Sequence, residues 1–284
     1  LSGVILIRFL LVFVLFSCLN STDANRRIHL FHLLYQDSAP ALSAFLQELE
    51  GLKGEELFQK LHEQTGKDYL VHDYKEAKQF LYDVVDNENG KVRTLYSSLF
   101  GLPKGTRYYE DGDENLDGTY GDFVNCEHIW PQSKFSKREP MVSDLHHLYP
   151  TFSIPNHIRG SAPFGMVDSA TYQTVAGSKF GSGEFEPHDE IKGNVARAML
   201  YFVLRYKGQP ILKKTSSQRF WNLRIQQFFL WHQLDPPDGP EILRNDRIEE
   251  FQKNRNPLID APELVEKIGV EPFLLSDNPK VLEN

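Results

Sequence analysis

Between Asn125 and Gly165 the sequence gathers side chains able to do acid–base and metal chemistry. Four of the chain's ten histidines lie there (His128, His146, His147 and His157), together with Glu127, Asp144, Asn156, Arg138 and Arg159. Magnesium prefers oxygen ligands and keeps several of its waters. The Glu127 carboxylate and the Asn156 amide can each give one oxygen, leaving positions for water and phosphate. A neutral His128, with one ring nitrogen bonded to a backbone carbonyl, can take a proton from an attacking water. An arginine can neutralise charge gathering on a scissile phosphate, and a single cation can stabilise the leaving oxygen. Zinc chemistry fits less well, because the assignable pair is carboxylate plus amide rather than several imidazoles.

These groups need a scaffold. Ile129-Trp130 and Leu145–Tyr149 read as strand-like pieces joined by a Pro/Lys/Ser-rich connection, and after Pro150 the chain turns so that Asn156 falls on a short helix. The reading is a small ββα unit with one hard divalent ion in its cleft. Neighbouring residues on a regular strand face opposite ways, so Glu127 and His128 can serve one cleft only where the strand starts, bulges or twists. The same alternation would send one of His146 and His147 to the cleft and the other to the core.

Around this unit, periodicity predicts helices over 40–65, 73–83, 191–207, 217–232 and 240–254, and a short strand over 92–96. Residues 102–125 read as an irregular loop. Its Glu110–Gly118 run, EDGDENLDG, has an acidic density suited to calcium. It is read as lacking the alternating ligand spacing of a helix-loop-helix calcium site, hence as solvated. There is no internal repeat. The predicted fold class is α+β, a mainly helical single domain around a ββα core at about 125–165 with a small antiparallel sheet.

Composition narrows the class. With 284 residues, 40% apolar and 25% charged, the chain is neither disordered, collagen-like nor a multi-span membrane protein. Two cysteines exclude a disulfide-stapled scaffold and a cysteine-rich zinc module. The net charge of −8 excludes a globally basic binder. Charge is unevenly spread, however. Residues 21–125 carry 19 acidic against 11 basic side chains, whereas 156–230 carry 10 basic against 5 acidic. Residues 1–20 read as an export signal, with Arg8 ahead of an apolar Phe9–Phe16 run too short to span a bilayer, which takes about 20 residues. Cys18 resembles a lipoprotein cleavage cysteine, so a lipid anchor there is an alternative. Cys126 reads as a buried thiol rather than a nucleophile.

Three segments together carry a resemblance: Cys126-Glu127-His128-Ile129-Trp130-Pro131-Gln132-Ser133, Ser143-Asp144-Leu145-His146-His147-Leu148-Tyr149-Pro150, and Asn156-His157-Ile158-Arg159-Gly160. They resemble the bacterial endonuclease I family of secreted and periplasmic nucleases, within the ββα-metal (His-Me finger) superfamily. Further pieces match in order, including Phe185-Glu186-Pro187, Lys192–Ala198, Trp231-His232, Arg244-Asn245 and Phe251–Pro257. The resemblance implies that His128 is the general base, that Glu127 and Asn156 are metal ligands, and that the base's other nitrogen meets a main-chain carbonyl near Val142. It implies cleavage of DNA and often RNA without sequence specificity, leaving 5′-phosphate and 3′-hydroxyl ends. It also implies Mg2+, with Mn2+ or Ca2+ as substitutes, and a secreted or periplasmic location.

One departure leaves the phosphate-holding arginine open. Some family members draw it from a long cysteine-rich insertion, but here only Gln132–Pro140 fills that interval. Arg138 is nearest in the chain, and Arg159 shares a short helix with Asn156. Asp144, His146, His147 and Glu186 are expected to support the site. Lys134, Lys137, Lys179, Lys192 and Arg197 are expected to meet the phosphate backbone of DNA or RNA, with a structural role as the alternative for Arg197. No protein partner is implied. The alternatives kept open are an extracellular ribonuclease with RNA preference and a non-catalytic nucleic-acid-binding surface protein.

Overall fold

The computed structural model describes residues 45–275. Residues up to Gly51 and residues from Leu52 belong to separate compact units, and the second holds every element discussed below. The export signal, Cys18 and the first residues of the predicted 40–65 helix lie outside the described residues. Among the described residues no helix is long and apolar enough to cross a membrane.

Helix α1 (Gly54–Gly66) carries Glu55 and Glu56 in its first turn, against the positive end of the helix dipole, and buries Leu57, Phe58 and Leu61. Asp73 caps α2 (Tyr74–Phe80) by accepting from the Glu76 amide at 2.9 Å, and the helix continues as one π-helical turn over Leu81–Val85. Strands β1 (Asn87–Glu88) and β2 (Lys91–Arg93) are joined by Asn89-Gly90, both at positive φ, which suits a tight hairpin. β3 (Phe100–Lys104) and β4 (Arg107–Tyr109) complete a four-stranded antiparallel sheet in chain order.

The central unit follows. β5 (Val124–His128) leads through the one-turn α3 (Gln132–Phe135) and a 3-10 turn at Leu145–His147 to β6 (Leu148–Phe152). β5 and β6 pair antiparallel, with Glu127 opposite Tyr149 and His128 opposite Leu148, and α4 (Ser153–Arg159) follows directly. A third antiparallel sheet comprises β7 (Tyr172–Gln173), β8 (Lys179–Gly181) and β9 (Glu184–Glu186).

The remaining helices are α5 (Lys192–Tyr206), α6 (Thr215–Asn222), α7 (Ile225–Leu234), α8 (Gly239–Gln252), α9 (Pro257–Asp260) and α10 (Leu264–Ile268). Helix α5 is buried on almost every side, as expected of a helix apolar all round. Its Phe202 stacks on Trp130 at 4.7 Å and meets His147 edge-on at 4.8 Å, so the strand unit rests on this helix. On another side, Cys126, Leu145 and Leu148 pack with Ala77, Leu81, Val85 and Ile248. Cys126 is thus a core thiol, pushed up to about 12 by burial.

The architecture is α+β with small antiparallel sheets, and several boundaries differ from the sequence reading. The predicted 40–65 helix is interrupted, because Gly51 and Gly54 take positive φ. Strands occupy 124–128 and 148–152 rather than Ile129-Trp130 and Leu145–Tyr149. The 92–96 strand stops at Arg93, where Thr94 and Leu99 close a turn. The 217–232 helix breaks at Leu223-Arg224. The 102–125 segment is not irregular throughout: it holds most of the β3–β4 hairpin, and Tyr109 bridges to Phe123. Nor is its acidic run simply solvated, for Glu110 and Asn115 are buried, as is Asp122 just beyond it.

Candidate active site

The site is built on the end of β5. His128 is the last strand residue and is only 3% exposed. Its Nε2 lies 3.0 Å from the Val142 carbonyl, an acceptor only, so Nε2 carries the proton and Nδ1 the lone pair. The Gln132 amide donates to that Nδ1 at 3.0 Å. Tyr74, Phe135 and His147 ring the imidazole with centroids 5.5, 6.0 and 5.6 Å away. Burial, helped by nearby His147, Arg159 and Lys137, lowers His128 to about 3 against the opposing pull of the Val142 carbonyl. The imidazole is therefore neutral at neutral pH, the form a general base requires.

Glu127 turns to the other side of the strand end. Its Oε1 accepts from the Tyr96 hydroxyl at 2.6 Å and pairs with Arg159 Nη1 at 3.0 Å. Burial raises its carboxyl, while Arg159 and Tyr96 oppose that rise. Asn156, on α4, donates from Nδ2 to the Cys126 carbonyl at 3.4 Å and is half-buried. That bond ties the asparagine to the residue preceding Glu127 and leaves its amide oxygen for another partner. The strand keeps its alternation, and ending it at His128 places both side chains at one terminus.

Arg159 is 1% exposed and its charge is spoken for. Besides Glu127 it donates to the carbonyls of His128 at 3.0 Å and Ile129 at 2.7 Å, and it lies 4.5 Å over the Phe164 ring. It holds the chain just after β5 in place, a positioning role. Arg138, by contrast, is exposed on the turn after α3, next to exposed Lys137. Lys134 is half-buried with its ammonium 5.1 Å over Phe220.

The supporting residues sort by neighbourhood. Asp144 is buried and accepts from the His146 amide, Tyr201, Tyr206 and Gln252, so it pins the 3-10 turn to α5 and α8. His146 and His147 do not alternate between cleft and core, because they sit on that turn and both are buried. His146 Nε2 donates to the Asn254 carbonyl and His147 Nε2 to the Met141 carbonyl at 2.6 Å. Glu186 lies on β9 and accepts from the Val167 amide and from Lys192 and Lys179, so both lysines have carboxylate partners. Arg197, expected at the phosphate backbone, is 1% exposed and paired with Glu241, so its guanidinium does not reach solvent.

Tyr96, Gln132 and Arg244 join the site without having been expected there. Gln132 stands four residues after His128 beyond a proline, a local signal that could have been used. Tyr96 comes from 31 residues upstream and has none. Arg244 of α8 pairs with Asp86 at 3.0 Å, lies 3.9 Å over the Tyr149 ring, and donates to the carbonyls of Leu145 and Leu148. It thereby clamps the start of β6.

Among the described residues no three His, Cys, Asp or Glu side chains converge as a ready-made metal cage. A hard cation needs fewer protein ligands when it keeps its waters. The carboxylate of Glu127 and the amide oxygen of Asn156, held on adjoining elements, have the chemistry of such a donor set. The residues present fit magnesium better than zinc.

The Endonuclease I family profile matches residues 50–263. An extracellular ribonuclease of Bacillus amyloliquefaciens is 35% identical over 161 residues, 53% of this chain and 55% of that protein. An extracellular ribonuclease of Bacillus subtilis (strain 168) is 34% identical over 170 residues, 56% of this chain and 58% of that protein. These alignments thus span just over half the length of either relative.

Proposed function

Because this chain belongs to the Endonuclease I family, we propose that it is an exported, metal-dependent endonuclease that hydrolyses nucleic-acid phosphodiesters without reading base sequence. The observation carrying this reading is His128, buried and neutral, with Nε2–H fixed on Val142 O and Nδ1 left as the basic nitrogen.

In the proposed reaction a water attacks phosphorus, its proton passes to His128 Nδ1, and the bond from phosphorus to the 3′-oxygen breaks. The products carry a 5′-phosphate and a 3′-hydroxyl, the latter protonated from solvent. The Val142 carbonyl holds the reactive tautomer and stabilises the imidazolium once it forms. The Gln132 amide occupies the hydrogen-bonding position at Nδ1, so it must yield that position to the attacking water. Glu127 and Asn156 would hold the cation, and a bound Mg2+ would supply Lewis-acid stabilisation of phosphate and leaving-oxygen charge. Arg159 and Tyr96 fix the Glu127 carboxylate. Arg138, exposed and without an ion pair among the described residues, is the arginine able to reach a phosphate, with Lys137 beside it.

RNA belongs among the substrates, an inference supported by the two relatives named as extracellular ribonucleases. Their names also favour an extracellular location. The test is cleavage of plasmid DNA, single-stranded DNA and structured RNA by the purified protein with magnesium. Cutting of RNA and both DNA forms is expected. Cutting of RNA alone would narrow the reading to a ribonuclease, and no cutting of any substrate by folded protein would leave the binding-protein alternative.

A further inference from the structure

The acidic segment between β4 and β5 contains a group of oxygens for which the proposed active site has no use. Glu110, 4% exposed, accepts the Asn115 amide on Oε1 at 2.8 Å, yet its Oε2 is buried with no hydrogen-bond partner. Asp117 Oδ2 is likewise buried and unpartnered. So is the Tyr172 hydroxyl, whose proton is held more tightly by burial and by the charges of Asp117, Asp122, Glu110 and Asp113. Three orphaned oxygens thus share one neighbourhood. A buried carboxylate oxygen without a donor costs a folded protein substantially unless a cation or a hydrogen bond compensates it.

The local chain is shaped to gather oxygens. Asp113, Asn115 and Asp117 recur at every second residue and Gly118 follows at positive φ, contrary to the reading of this run as lacking alternation. Asp113 accepts from the amides of Asp117 and Gly118, and Asp117 Oδ1 accepts from Thr119 N. The Asn115 amide group donates to Asp122 Oδ2 at 3.3 Å. The charged groups that act most strongly on Glu110 and Asp122 are other carboxylates of the same loop, with no basic side chain among them.

We propose that the Glu110–Asp122 loop binds a calcium ion, with the carboxylates of Glu110 and Asp117 as central ligands. Asp113, Asn115, Asp122 and loop carbonyls complete the shell. All available donors are hard oxygens, which selects against zinc and copper. Calcium accepts six to eight such ligands in irregular geometry, whereas magnesium demands an octahedron and retains its waters. Among the described residues the carboxylates do not close into a cage, so binding tightens the loop around the ion. The consequence reaches the active site through two connections. The loop runs directly into β5 through Phe123, and Asp122 Oδ1 accepts from the hydroxyl of Ser153, the first residue of the helix bearing Asn156, at 3.4 Å. This inference is independent of the proposed nuclease chemistry.

The test is calorimetric titration of the full, metal-stripped chain with CaCl2 and separately with MgCl2, paired with thermal unfolding. Wild type is compared with Glu110→Gln, Asp117→Asn and Glu127→Gln, the last weakening the cation site proposed at the active centre. The expected result is calcium binding with a raised Tm in wild type and in Glu127→Gln. In Glu110→Gln and Asp117→Asn, affinity should fall by about 10-fold or more, as ligand charge is removed. Absence of calcium binding in wild type would overturn the proposal, as would loss of binding in Glu127→Gln protein shown to be folded by circular dichroism, or wild-type affinity in both loop variants. Should one loop variant prove unfolded by circular dichroism, the wild-type titration and the other variant decide.

Discussion

At the scale of single residues, burial separates two arginines that the sequence could not rank. Arg159 and Glu127 form a buried ion pair, and removing one member of such a pair strands the other's charge at a cost of about 3–5 kcal/mol. Arg159→Ala is therefore expected to lower Tm sharply together with activity. Arg138→Ala, an exposed change, should leave stability within about 0.5 kcal/mol of wild type while lowering cleavage. Equal stability of the two variants, read by thermal unfolding, would contradict these assignments. His232 gives a pH-dependent case. Burial and nearby Arg197 lower it to about 4, against the Pro262 carbonyl that raises it. The unfolded chain then binds a proton through pH 6.5 to 4 that the folded chain refuses, so the stability His232 contributes is full above pH 6.5 and is lost as pH falls to 4. Denaturant unfolding of wild type and His232→Gln across that window should show their stability difference shifting by roughly 3 kcal/mol against wild type. A constant difference would refute the assignment.

At the scale of elements, Gly193 shows how tightly the helices meet. A Cβ there would stand 1.8 Å from the Asp235 carbonyl oxygen, where the first turn of α5 abuts the end of α7. Gly193→Ala should cost about 1–3 kcal/mol or more by overpacking, whereas Gly239→Ala, with open space around it, should be nearly neutral. Thermal unfolding of both variants checks the contrast. The legibility of the sequence follows the same division between local and distant causes. Helices α5 and α8 are readable because apolar periodicity and flanking signals are local, as with Asp238 capping α8 by accepting from the Glu241 amide. The Glu127-His128 and Asn156 positions are readable from residue type and from likeness to a family. The strand boundaries shift because Leu145–His147 is as apolar as a strand yet is held as a 3-10 turn by Asp144, itself fastened by Tyr201, Tyr206 and Gln252 from 57 to 108 residues away. Tyr96 at Glu127 and Arg244 on β6 are long-range contacts of the same kind, invisible to any local window. The acidic loop defeats a local reading because its density suggests solvent, whereas chain packing buries Glu110 and Asn115.

At the scale of the whole molecule, an acidic protein that grips nucleic acid must do so through a local basic surface. Lys137 and Arg138 are exposed beside the site, while Lys192, Lys179 and Arg197 are taken up by carboxylates. Binding through phosphates releases counterions, so log affinity should fall linearly with log salt, by about 0.7–0.9 for each phosphate neutralised. A His128→Ala protein titrated with single-stranded oligonucleotides of different sequence should give one slope for all of them, and Lys137→Ala should reduce its magnitude by about 1 at most. Sequence-dependent affinity, or a slope near zero, would contradict recognition through the backbone. The central claim is that His128 takes the proton in a metal-dependent cleavage, and one assay meets it directly. Initial cleavage rates on RNA and plasmid DNA would be measured with magnesium, with EDTA, and with folded His128→Ala protein. The expected result is cutting that requires magnesium and falls by about 10²–10⁴-fold in His128→Ala, the usual range for a lost general base. Cutting that persists in EDTA, or a His128→Ala rate near that of wild type, would contradict it.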